Sequence, residues 1–149
     1  MTLARKILAT HAPTAVVLIR LMVGGVFLSE GVQKFLYPAL RGTGRFVTLG
    51  IPYPEFSGPF VGVVEVACGV LILLGLLTRL AVVPTIIIML VAIYTTQLPV
   101  LQKEGVWFMA NRIRTDYSML LKSIFLLIVG AGPWGLDARL EARSERGRR

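Results

Sequence analysis

Four windows of the chain are almost unbroken runs of apolar residues, near Pro13–Leu36, Pro59–Leu77, Leu80–Val100 and Tyr117–Pro133. Polar stretches bearing glycine or proline separate them, and each window approaches the roughly 20 residues at 1.5 Å rise with which an α-helix crosses the hydrocarbon of a bilayer. The pattern predicts an all-α protein, an integral membrane four-helix bundle. Only Thr78-Arg79 lies between the second and third windows, so those helices are expected to be antiparallel neighbours. Tyr37–Gly58 and Leu101–Asp116 are the long connections, and an even number of spans puts both termini on one side. Residues 1–136 read as one transmembrane domain and 137–149 as a basic tail.

The polar positions inside these windows are not scattered. At 100° per residue, Arg20, Gly24, Phe27, Glu30, Gly31 and Lys34 share one broad stripe of the first helix, opposite an apolar face of Val17, Leu21, Leu28 and Phe35. The second helix aligns Gly58, Gly62, Glu65, Cys68, Gly69 and Ile72, its glycines allowing close approach of another backbone. The fourth aligns Thr115, Ser118, Lys122, Phe125 and Val129. Counted inward from the helix ends, Glu30, Glu65 and Lys122 lie roughly 10 Å deep on the same side, with Lys34 shallower.

An ionised group at that depth costs about 2.5–3.5 kcal/mol even on lenient insertion scales, so it is expected to face the bundle interior and to have a partner. Glu65 should therefore meet Lys122 or Lys34, with Glu30 as a second carboxylate of the cluster. Such a cluster could bind protons. It could equally be a satisfied ion network that only fixes helix register. Arg20 lies near the other membrane face, where "GAGPWGLD" breaks the fourth helix and leaves carbonyls unpaired; those carbonyls and Asp137 are its expected partners, as an ion pair or helix-end cap.

Composition agrees with the pattern. The chain of 149 residues is 55% hydrophobic and 16% charged, against about 45–50% and about 25% for soluble domains. Arg5, Lys6, Arg79, Arg139, Arg143, Arg146, Arg148 and Arg149 outnumber Arg41, Arg45, Lys103, Arg112 and Arg114 across the membrane, with Lys34 at the edge of the latter set. The positive-inside rule then puts both termini in the cytoplasm, for a multi-pass protein of the cell membrane. Much of the net charge of +8 sits in "DARLEARSERGRR", which reads as a tail against anionic lipid and not as a nucleic-acid arm. Arg5 and Lys6 before apolar residues resemble a signal peptide, yet Arg20 interrupts the run and no small-residue cleavage site follows, so a retained first helix is expected. Cys68 is the single cysteine, which excludes an internal disulfide, and His11 reads as a solvated residue. The sequence offers no Cys/His metal cluster, no phosphate-binding glycine loop and no nucleophile triad.

"RLMVGGVFLSEGVQKF" (Arg20–Phe35), "LGIPYPEFSGPFVGVVEVACGVLILLGLLTRLA" (Leu49–Ala81) and "GAGPWGLDARL" (Gly130–Leu140) together resemble the DoxX family of small four-helix membrane proteins. The matching positions are Arg20, Gly31, Lys34, Gly50, Pro52, Glu65, Gly75, Thr78, Arg79, Gly130 and Asp137, while Gly135 stands where a serine is expected. The resemblance implies a membrane partner in oxidoreductase systems, with quinone as the implied cofactor and a soluble redox enzyme as the implied partner. Haem, iron–sulfur and flavin signatures are missing from the sequence, so the redox centre would belong to that partner. Two other readings compete: a non-enzymatic scaffold or assembly factor, alone or as a homo-oligomer, and a small proton-linked transporter. Four helices without inverted repeats leave the transporter little room for alternating access.

Overall fold

The computed structural model describes residues 13–146; Arg5, Lys6, His11, Arg148 and Arg149 lie outside that range. Its helices are α1 (Val16–Leu36), α2 (Thr43–Thr48), α3 (Pro54–Leu74), α4 (Thr78–Glu104), α5 (Val106–Arg112), α6 (Arg114–Val129) and α7 (Leu136–Arg146). No strand occurs among the described residues. Three of these helices, α1, α3 and α4, are long and apolar enough to cross a membrane.

The helix ends differ from the predicted windows for local reasons. α3 starts at Pro54 and not Pro59, because proline in the first helical turn gives up an N–H that has no partner there anyway. Ser57 Oγ then closes that turn by donating to the carbonyls of Pro52 (3.2 Å) and Tyr53 (3.0 Å). The same helix stops at Leu74, three residues before the predicted Leu77, since Gly75 takes φ 65° and its N–H bonds to the Ile72 carbonyl while the Leu76 N–H bonds to that of Leu71. This is the left-handed glycine stop that ends many helices. α4 begins at once with Thr78 and runs to Glu104, beyond the predicted Val100, in spite of Pro84 and Pro99 inside it. Its 27 residues make it about 40 Å long.

α6 has 16 residues and ends at Val129, capped by Gly130, ahead of the predicted Pro133. At about 24 Å it is shorter than the hydrocarbon layer of about 30 Å. It packs chiefly along α4. The expected tail is not an extended segment: Leu136–Arg146 forms α7.

α1 and α3 make the most extensive helix pair. A Cβ at Gly31 would lie 2.8 Å from the Gly62 carbonyl oxygen, and one at Gly69 would lie 2.7 Å from the Leu28 amide nitrogen. Glycine at both ends of this seam is therefore what lets the two backbones touch. Val23, Phe27, Ile72, Val82, Met119 and Leu126 fill the centre. Large apolar side chains such as Leu18, Leu21, Leu90 and Ile128 face outward, whereas Arg20, Glu65, Thr78 and Asp137 are buried. Charge inside and hydrocarbon outside is the arrangement lipid requires.

Candidate functional site

The close α1–α3 seam determines which charged groups can meet. Gly62 lies against the Phe35 ring and the Lys34 stem, where a Cβ would come within 2.9 Å and 3.4 Å of them. The Lys34 side chain can thus run along α3 to the carboxylate one turn further on. Lys34 Nζ donates to Glu65 Oε2 at 2.6 Å, and the two side chains are 10% and 3% exposed. Lysine so near a helix end could have turned out to the membrane surface. Here the glycine gap turns it inward.

Glu30, one turn back along α1, lines the same cavity and places a second negative charge near Glu65. Lys122 is not brought to this group: its Nζ donates to Ser118 Oγ at 2.6 Å, one turn away on its own helix. The reason is packing, since α6 follows α4 and has much less contact with α1.

The cavity beside the ion pair has a volume of about 420 Å³. That is within the range of small-molecule sites. Its walls include Val26, Phe27, Phe60, Ile87, Val91 and Met119, and its polar lining includes Glu30, Lys34, Glu65, Thr96 and Asp116. Asp116 Oδ2 accepts a hydrogen bond from Gln97 Nε2 at 2.9 Å, and Gln97 is only 8% exposed. Sequence reasoning missed this second polar wall. It assigned no polar stripe to the third span, although Gln97 is an amide within an apolar run, the signal that could have found it.

Arg20 and Asp137 form a separate node. Arg20 donates from Nε to the Ile72 carbonyl (3.0 Å), from Nη2 to that of Leu73 (2.7 Å) and from Nη1 to that of Ala131 (3.1 Å). The guanidinium thus caps carbonyls at the end of α3 as well as the expected one after α6. Asp137 makes no hydrogen bond to Arg20; its two oxygens accept the N–H groups of Leu77 (2.7 Å) and Thr78 (3.0 Å), capping the start of α4. A Cβ at Gly75 would lie 2.6 Å from the Arg20 guanidinium carbon, and one at Gly135 would lie 2.5 Å from Ala131 Cβ. Gly135, the departure from the expected serine, is what the packing admits.

The cavity beside the Lys34–Glu65 pair can therefore take a ligand that pairs an apolar body with a hydrogen-bonding end, whereas the Arg20–Asp137 node is bonded to backbone. Among the described residues no group of three or more His, Cys, Asp or Glu could hold a metal ion. The DoxX family model matches residues 15–98. The chain belongs to the DoxX family. "Uncharacterized membrane protein Rv3486" of Mycobacterium tuberculosis is 52% identical to it over 145 residues, covering 93% of this chain and 89% of that protein. "Putative oxidoreductase CatD" of Bacillus subtilis is 32% identical over 120 residues, covering 80% and 82%. No solved structure matches. The segment that defines this DoxX protein contains Arg20, Glu30, Lys34, Glu65 and Gln97, whereas Asp116, Lys122 and Asp137 lie beyond it.

Proposed function

We propose that this DoxX protein is a plasma-membrane subunit that anchors an oxidoreductase assembly and contacts quinone, with both termini in the cytoplasm. The observation that carries the reading is the Lys34–Glu65 pair opening onto a cavity with aliphatic and aromatic walls. The name of the Bacillus subtilis relative points the same way. A quinone ring fits the deeper lining: Val26, Phe27 and Met119 suit its faces, and the Lys34 ammonium suits a ring oxygen. When bound, quinone supplies two-electron carrier chemistry. Glu65 and Glu30 would exchange the accompanying protons, and the apolar walls would keep bulk water from the ring. Electrons would come from a soluble partner enzyme.

The test is purification of the tagged protein with its associated partners, followed by quinone reduction assays. Glu65→Gln is expected to lower the rate by about 10²-fold or more while the partner still co-purifies. An unchanged rate, or purification without any redox partner, would refute the reading. One observation favours a scaffold instead, namely that the ion pair joins α1 to α3 and satisfies itself at 2.6 Å. A scaffold would keep recruiting its partner, and would support no quinone reduction, in both wild type and Glu65→Gln.

A further inference from the structure

The connection between α1 and α3 is fitted closely against the end of α1. A Cβ at Gly42 would lie 2.6 Å from the Lys34 carbonyl oxygen, and one at Gly44 would strike the carbonyl of Ala39. The amides of Gly42 and Gly44 both donate to the Pro38 carbonyl, at 3.1 Å and 3.0 Å. Phe46 is buried against the cavity and pins α2. Two arginines flank this pinned turn, Arg41 before it and Arg45 on α2, so their positions are set by a backbone with little room to shift.

Both arginines are exposed and both line the cavity. Among the described residues neither has an ion-pair or hydrogen-bond partner. The acids of the same cavity are engaged or set back: Glu65 by Lys34, Asp116 by the Gln97 amide, and Glu30 one turn before Lys34 on α1, away from the connection. Phe60 on α3 and Ile87 and Val91 on α4 are at once cavity walls and exposed surface. The cavity is thus open sideways between these helices, towards the acyl chains of a surrounding bilayer.

We propose that this rim binds an anionic membrane phospholipid, its phosphate held by Arg41 and Arg45 and an acyl chain lying against Phe60, Ile87 and Val91. Guanidinium forks match phosphate oxygens two at a time, and the apolar opening supplies what a free anion does not use. The occupant would cover the mouth of the cavity without reaching the Lys34–Glu65 pair. The site stands whether or not quinone binds deeper.

The experiment is native mass spectrometry of the full-length protein released from bilayers of equal phosphatidylglycerol and phosphatidylcholine. Wild type is expected to retain phosphatidylglycerol at roughly tenfold or greater preference. Arg41→Gln with Arg45→Gln should bring the preference to near unity, and Arg41→Lys with Arg45→Lys should keep part of it. Lys103→Gln with Arg112→Gln, exposed positions outside the cavity lining, should leave it unchanged. Melting curves confirm that each variant is folded. Undiminished preference in the Arg41→Gln with Arg45→Gln variant overturns the proposal, as does its loss in the Lys103 and Arg112 variant. Displacement of the lipid by millimolar inorganic phosphate would show a head-group anion site only, and would also overturn it.

Discussion

Two places in the bundle solve the same physical problem differently. Ionised side chains sit within an apolar layer at both, where an unpartnered charge is costly. At the Arg20–Asp137 node the partners are backbone groups: three carbonyls take the guanidinium and two N–H groups take the carboxylate. Glycine at positions 75 and 135 closes the space around them. At the Lys34–Glu65 pair the partners are each other, and beside them lies a cavity of about 420 Å³ with Glu30 on its wall. The first arrangement ties helix ends together through the backbone. The second holds charge next to an open apolar space, and that is where a ligand can act.

This contrast orders the effects of mutation. Arg20→Leu should cost most, about 3–5 kcal/mol, because it strips three carbonyls of their donors and leaves Asp137 without its neighbouring cation. Reversible unfolding in mixed micelles would read the loss, and a change below about 1 kcal/mol would put the node among dispensable contacts. Gly75→Ala should follow at about 2–3 kcal/mol, since the new methyl meets the guanidinium at a backbone angle of φ 65° that favours glycine. Asp137→Asn keeps the cap's shape but not its charge, and about 1–2 kcal/mol is expected in the same assay.

At the Lys34–Glu65 pair the numbers should be smaller. Glu65→Gln is expected to cost only about 1 kcal/mol, because the cavity lets solvent or ligand reach the freed ammonium. Lys122→Gln should change stability by less than about 0.5 kcal/mol, its contact being a single bond to Ser118 on the same helix. A double-mutant cycle sharpens the point. Coupling of Glu65 with Lys34 should exceed about 0.5 kcal/mol, and coupling with Lys122 should fall within error of zero. The reverse order would mean that the helices pack differently.

Much of this was legible in the chain itself. The period of the apolar runs carried the helical class, and the glycines aligned with Glu65 carried a close backbone approach on that face of α3, but not that α1 makes it. Arg20 was legible because charge that deep needs carbonyls, and "GAGPWGLD" advertises them. The choice of Lys34 over Lys122 was not. It depends on Gly62 leaving room for a lysine stem and on α6 following α4, both matters of packing. Asp137 has Arg20 as its neighbouring cation, but its hydrogen-bond partners were not legible, for a similar reason. That Leu77 and Thr78 present free N–H groups follows only from the early stop at Gly75. The Gln97–Asp116 contact was not legible because an uncharged amide leaves no charged stripe in its span, and the bond joins the body of α4 to the first turn of α6.

The difference between the two nodes is tested most directly by ligand-induced stabilisation, since a molecule that binds the folded state raises its melting temperature by an amount that grows with the logarithm of its concentration over Kd. A short-chain quinone should raise the melting temperature of the purified wild-type protein and of Asp137→Asn by the same increment, while Glu65→Gln shows little or no rise. An equal rise in Glu65→Gln, or none in any of the three, would contradict the assignment of the Lys34–Glu65 cavity as the place where this DoxX protein meets quinone.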